Sequence, residues 1–180
     1  MGKIVASFFI SLDGVVEAPD QWHFPYFDDE MGEAVGKALE PVEAMLMGRV
    51  HYDESSSYWP TSTDEPIASL FNGMRKYVVS TTLTEATWNN TTIVNGDVAA
   101  EIRKIKDSTE GEIGISGSAT LVRWLLAKGL LDQLNLLVHP IVVGKGQRLF
   151  EDTPTHPLTL VSQETLGSGV LNLAYAPADV

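Results

Sequence analysis

The chain predicts an α/β protein built on a mostly parallel mixed sheet with antiparallel carboxyl-terminal strands. Three observations predict it. Short β-branched and aromatic runs alternate with stretches of helical periodicity over the first two thirds, as parallel strands joined by crossover helices require. The last third instead strings apolar runs together around Gly167-Ser168-Gly169, which is a hairpin signal. A length of 180 residues with 44% hydrophobic content suffices for one buried core, so a single domain over 1–180 is expected.

Taken in order, Lys3 to Leu12 is a β-branched and aromatic run stopped by Asp13-Gly14, a buried strand followed by a turn. Glu17 to Phe27 holds two prolines and the aromatic residues Trp22, Phe24, Tyr26 and Phe27, so it reads as a loop wrapped over something. Those rings serve either as packing or as a stacking wall for a flat heterocycle. Asp28 or Asp29 caps a helix to about Leu39, with Met31, Val35 and Leu39 on one face, and Pro41 ends it. Ala44 to Met47 is a short strand, and Gly48-Arg49 leads into a polar helical turn. Tyr77 to Val79 and Thr91 to Val94 are further strands, and Val98 to Ile105 is a short helix. Ile113 to Ile115 is a strand that breaks at Ser116-Gly117-Ser118 into a helix ended by Gly129, a left-handed terminator. Gln133 to Val143 is expected as one long strand interrupted by Pro140, with two more strands between Leu158 and Ala176.

Composition removes several functions. A net charge of -12 repels nucleic-acid backbones and anionic lipid, so neither nucleic acid nor membrane is expected as a partner. With no cysteine there are no disulfides, thiolate catalysis or cysteine-ligated metals. His23, His51, His139 and His156 are scattered without metal-site spacing, and no metal is expected. No Gly-x-Ser-x-Gly elbow supports a hydrolase. The amino-terminal apolar run is too short for a membrane span or a signal-peptide core, so a cytoplasmic location is expected.

Three segments share a property. Gly48-Arg49, Ser80-Thr81 and Ser116 to Thr120 each follow an apolar strand directly, so in a parallel sheet they meet at its carboxyl edge, where α/β proteins bind ligands. Together they offer a guanidinium, hydroxyls and the free amides of a helix start, a set that suits a dinucleotide with an extra phosphate. The turn at Ser116 to Ala119 also has a plainer reading, as a tight turn packing a helix on a sheet. Likewise Arg49 is either a phosphate contact or a surface arginine, and Asp13 a turn residue or a ligand contact. Lys145 and Arg148 are either a solvated basic loop or groups that reach a ligand or a partner subunit.

Met-Gly-Arg at 47–49, Val-Val-Ser-Thr-Thr at 78–82, Ser-Gly-Ser-Ala-Thr-Leu at 116–121 and Leu-Val-His-Pro-Ile-Val-Val-Gly-Lys-Gly at 137–146 resemble the dihydrofolate reductase superfamily. The order and spacing are most similar to its branch containing the reductase domain of the riboflavin-biosynthesis deaminase-reductase, which Ser-Leu-Asp-Gly at 11–14 also fits. The resemblance implies a dihydrofolate-reductase-like three-layer α/β/α fold and NADPH as cofactor. It places Arg49 against a phosphate of NADPH and His51 where the family often has a phosphate-binding hydroxyl. It also gives Ser80 and Thr81 to the 2′-phosphate, and the main chain of Gly117, Ser118, Ala119, Thr120 and Leu121 to the pyrophosphate. The main chain near Phe9 to Leu12 would lie beside the nicotinamide.

Two departures concern the substrate side. Ser116-Gly117-Ser118 stands where the riboflavin-pathway reductases often have Glu-Gly-Gly, and no acidic residue near the first helix is a clear counterpart of the folate enzymes' carboxylate. Asp13 and Asp28 are the candidate catalytic residues. The expected function is hydride transfer from NADPH to a pteridine- or pyrimidine-like heterocycle. The alternatives are the specific 5-amino-6-(5-phosphoribosylamino)uracil reduction or a non-catalytic NADP-binding module. The resemblance implies a homodimer, and the segment Leu134 to Val143, apolar on both faces near an expected sheet edge, is covered either by a partner subunit or by the hairpin over 158–176.

Overall fold

Strand β1 (Lys3–Ser11) alternates its side chains between two apolar layers, Phe8 and Ile10 to one and Phe9 to the other, as a strand buried on both faces must. The structure, a computed structural model, describes residues 1–178; Asp179 and Val180, the end of the expected 1–180 domain, lie outside the described residues. The remaining strands are β2 (Val42–Gly48), β3 (Arg75–Val79), β4 (Thr91–Val94), β5 (Glu112–Ile115), β6 (Gln133–His139), β7 (Leu158–Thr165) and β8 (Leu171–Pro177). They form one eight-stranded sheet in the order β4-β3-β2-β5-β1-β6-β8-β7. Strands β1 to β6 run parallel, and the β7–β8 hairpin adds antiparallel to β6.

Helices cover both faces. On one side α4 (Val98–Ser108) and α5 (Ala119–Ala127) set Ile102, Val122 and Leu125 against Ile4, Ala6, Leu46, Ile113 and Leu134. On the other, α2 (Arg49–Tyr58) and α3 (Ile67–Gly73) pack Tyr52 and Phe71 against Met45, Met47, Val78 and Trp88. Beside them α1 (Asp29–Leu39) buries Met31 with Phe9, Leu137, Leu166 and Val170. This is the three-layer arrangement expected from the sequence. None of the helices is long and apolar enough to cross a membrane, among the described residues.

Local chemistry sets the helix ends. The Asp28 carboxylate accepts from the Met31 amide at 2.9 Å and Asp97 from Ala100 at 3.1 Å, caps worth about 1 kcal/mol each. At the far end of α5, Gly129 has φ +64° and the Leu130 amide donates back to the Leu125 carbonyl. That left-handed cap turns the chain directly into β6.

Two expectations change. The long strand over Gln133 to Val143 stops at His139, because Pro140 has no N–H to continue the ladder and Ile141 donates to the His139 carbonyl. Nor does β6 lie at an edge: β1 flanks it on one side and β8 on the other, and the outermost strand is β7. The hairpin thus covers the edge from which a dimer was inferred. Helix α3 also forms over a segment whose periodic run is too short to be read as a helix.

Candidate functional site

Because β1 to β6 are parallel, the residues following β1, β2, β3 and β5 lie along one edge of the sheet, together with His139 at the end of β6. The strand ends singled out from the sequence are therefore neighbours. Gly48 and Ser118 make the link direct: the Gly48 amide donates to the Ser118 hydroxyl at 2.8 Å, joining the β2–α2 and β5–α5 turns. Ser118 adopts the left-handed conformation at φ +61°, and its hydroxyl caps Gly48 rather than its own helix.

The first intrahelical bond of α5 runs from the Val122 amide to the Ser118 carbonyl. The amides of Ala119, Thr120 and Leu121 precede it and lack the i−4 partners of a helix interior, so they are the free donors of the helix start. Gly117 is small for a reason the sequence did not reveal. A Cβ built there would stand 2.6 Å from His51 Nδ1, so the imidazole of α2 lies over the turn. Burial pushes His51 below its usual range, with Glu54 pulling the other way, and leaves the ring neutral at neutral pH.

Arg49 opens α2. Its Nε donates to both oxygens of Asp53 at 2.9 Å, and one terminal nitrogen donates to Thr82 Oγ1 at 3.3 Å. Ser80 is buried and its Oγ accepts from the amides of Thr82 and Leu83 at 3.2 and 3.0 Å, which fixes the turn after β3. Thr81 is exposed. The residue that meets Arg49 is thus Thr82, one position beyond the expected pair Ser80 and Thr81. Asp53 was missed too, although its i+4 spacing from Arg49 was visible.

The two candidate catalytic carboxylates have structural partners. Asp13 accepts from the Ser11 hydroxyl at 2.6 Å and from the Val143 and Gly144 amides at 3.0 and 2.8 Å. Those donors, the hydroxyl foremost, hold its carboxyl down to about 2. So ionised an acid has no proton to give at neutral pH, and its geometry is that of a tie between the β1 turn and the loop after β6. Asp28 is the cap of α1. Of the other acids near that helix, Glu30 accepts from the Gly167 amide and Glu33 pairs with Lys37 at 2.7 Å. The side chain that α1 buries is Met31.

Over that part of the sheet lies an aromatic cluster. His23, from the loop before α1, stacks on Phe9 at 4.5 Å between centroids and meets Phe24 at 4.4 Å. His139 is fully buried, with the rings of Phe9, Trp22 and Tyr26 set edge-on to it at 5.2 to 5.7 Å. The aromatic crowd was legible in the sequence; its pairing with a histidine 116 positions away was not. Of two surface concavities, one of about 290 Å³ at Tyr77, Val94 and Glu101 adjoins the end of β3, where the Ser80 amide donates to the Val94 carbonyl, and one of about 260 Å³ lies at Met1, Arg103 and Leu130.

A model of the RibD C-terminal domain matches residues 2–172. The chain is similar to the uncharacterized protein YyaP of Bacillus subtilis strain 168, with 28% identity over 179 residues that cover 96% of this chain and 94% of that one. Among solved structures it is similar to a putative riboflavin biosynthesis protein from Shewanella sp. PV-4, with a TM-score of 0.77 at 20% identity, over 98% and 99% of the two chains. It is also similar to the dihydrofolate reductase of Enterococcus faecalis complexed with NADP(H), with a TM-score of 0.67 at 14% identity, over 99% and 98%. At such identities the structural likenesses establish a common fold.

Proposed function

The chain belongs to the RibD C-terminal domain family, within the dihydrofolate-reductase-like superfamily, and from that premise we propose that it is an NADPH-dependent reductase of a pteridine- or pyrimidine-like ring. The observation that carries this reading is the convergence of the α5 start with Arg49 at one sheet edge.

The residues present fit such a cofactor. The free amides of Ala119, Thr120 and Leu121 suit a pyrophosphate, since donors at a helix start favour negative charge, and the absence of a side chain at Gly117 lets the His51 ring close over the same turn. Arg49 suits a 2′-phosphate. Its Nε is taken by Asp53, but the terminal nitrogens carry the remaining N–H groups, with the Thr82 hydroxyl against one of them. Neutral His51 adds a ring nitrogen without adding charge. These contacts are local, so a net charge of -12 on the whole chain does not oppose them.

Bound NADPH would supply hydride to a C=N or C=O bond of the substrate. The protein's own part is to orient and to exclude water. Phe9 and the loop aromatics form an apolar wall, while Asp13, held ionised, fixes the loop after β6 instead of donating a proton. No carboxylic acid of α1 enters this wall, so the proton reaches the product from water or from the substrate's surroundings.

The test is oxidation of NADPH by the purified protein with a panel of dihydropterins and aminopyrimidines. Loss of the reduced-nicotinamide absorbance with at least one of them is expected. Binding of NADPH without turnover on any would make the protein a nucleotide-binding module.

A further inference from the structure

His139 carries an unmet hydrogen-bonding group at the heart of the aromatic cluster. Its Nδ1 lies 2.8 Å from the Leu137 carbonyl, which can only accept, so Nδ1 holds the proton. Burial pushes the imidazole below its usual range, against smaller opposite effects from the Leu137 and Ile10 carbonyls, so the ring is neutral. Nε2 is then a bare acceptor. It is buried, has no partner among the described residues, and belongs to a side chain with no exposed surface. A phenylalanine would fill the same space without that penalty.

The second unmet group is His23 Nδ1, also buried and unpartnered on a side chain only 7% exposed. The imidazole is a flat nitrogen heterocycle lying 15° from parallel on Phe9, and it meets at 38° between planes the ring of Phe24, which is itself 64% exposed. Its ring centroid is 6.1 Å from that of His139. The loop that delivers it is fastened to the body by few polar side-chain bonds, Tyr26 Oη to the Pro140 carbonyl at 3.4 Å and the Gln147 amide to Glu17 at 2.5 Å.

We propose that His23 occupies the slot of the substrate ring, and that the ring which displaces it is selected by His139, whose Nε2 accepts a hydrogen bond from an N–H or O–H on that ring. The inference rests on the reading of this edge as a site for a flat heterocycle and adds the residues that choose it. Stacking on Phe9 is indifferent to which flat ring is present. The buried acceptor is not, because a ring without a donor leaves Nε2 unpaired as it is now. The hydrogen bonds of the cluster include no guanidinium or ammonium among the described residues, so the cluster offers nothing to pair an anionic ring. In this scheme His139 is a specificity residue and His23 a placeholder that leaves on binding.

Two pteridinediones make the test: lumazine, which carries ring N–H donors, and 1,3-dimethyllumazine, which has the same flat shape with those donors methylated. Each is titrated into the full chain by calorimetry, with NADPH binding measured separately, and the histidine side chains are followed by long-range nitrogen–proton NMR. Lumazine is expected to bind at least about tenfold more tightly than its dimethyl derivative, the worth of one hydrogen bond to a buried acceptor. It is also expected to shift the His139 Nε2 resonance and to remove the ring-current shift that Phe9 imposes on the His23 ring. His23→Ala is expected to tighten lumazine binding by emptying the slot. Equal affinities, or lumazine binding with unmoved His23 resonances, would overturn the inference while leaving the reductase reading intact. Failure of both rings to bind a protein that does bind NADPH would overturn the inference together with the heterocycle part of that reading.

Discussion

Replacing Arg49 with alanine separates a cofactor role from a structural one, because the two carry very different magnitudes. The Arg49–Asp53 pair is an i,i+4 contact on the first turns of α2, with side chains 40% and 52% exposed. Such pairs contribute roughly 0.3–0.5 kcal/mol, so Arg49→Ala should leave the unfolding free energy almost unchanged. A guanidinium holding a phosphate contributes more, on the order of 1.5–3 kcal/mol, or roughly one to two decades in affinity. Fluorescence titration of parent and variant with NADPH and NADH, beside a urea unfolding curve for each, measures all the quantities needed. The expected pattern is a ten- to hundredfold loss for NADPH, little change for NADH and a superimposable unfolding curve. Asp53→Asn should act in the opposite direction by releasing Nε, tightening NADPH by about twofold. Equal losses for both nucleotides, or no loss for either, would refute the assignment of Arg49 to a 2′-phosphate.

The turn before α5 offers a second test: Gly117→Val drives its side chain into His51, so it should cost about 1–3 kcal/mol in stability and weaken NADPH binding. Adding His51→Ala should restore the stability but not the binding; recovery of both would mean that the turn is mere packing. Acid stability should follow the buried histidines. The folded pKa values of His23 and His139 lie below the ordinary 6.5, so below pH 6.5 the unfolded state binds more protons and stability is lost as pH falls; a urea midpoint unchanged between pH 8 and pH 5 would contradict their burial as neutral rings. Asp13 contributes in a lower window, its stabilisation present above about 3.8 and lost as pH falls toward 2, so Asp13→Asn should flatten the curve there. We further propose a homodimer, now through β7, whose Thr159 to Thr165 are all exposed and whose outer edge has no neighbouring strand among the described residues. Light scattering should give roughly twice the 19.6 kDa chain mass, and a monomer at all micromolar concentrations would exclude it.

The parts of the fold legible in the sequence were those written in local chemistry. Short β-branched, aromatic and apolar runs marked β1, β2 and β5, while Asp28 or Asp29 and Gly129 marked helix ends, where the structure has the Asp28 cap and the left-handed Gly129. Pro140 was visible as a break in β6 but not as its end, because what decides the matter is where the following amides go. Val143 and Gly144 find Asp13, 130 and 131 positions away. The same distance effect hid much of the site. Arg49 and the Ser116 to Thr120 turn could be placed on one edge from strand order alone. The His51 ring over Gly117, Thr82 against Arg49 and His23 beside His139 are meetings between segments that no periodicity encodes. Asp13 was open between turn and ligand contact, and only its three donors identify the tie it makes.

The central claim, hydride transfer from NADPH to a flat heterocycle, is tested most directly by isotope. Purified protein is incubated with NADPH deuterated at the transferable position and with each dihydropterin or aminopyrimidine in turn, and the products are weighed by mass spectrometry. One deuterium on carbon in the reduced product of at least one ring, absent when NADH replaces NADPH at equal concentration, is the expected result. Saturable NADPH binding with no deuterium in any product would contradict it and leave a protein that holds the nucleotide without using it.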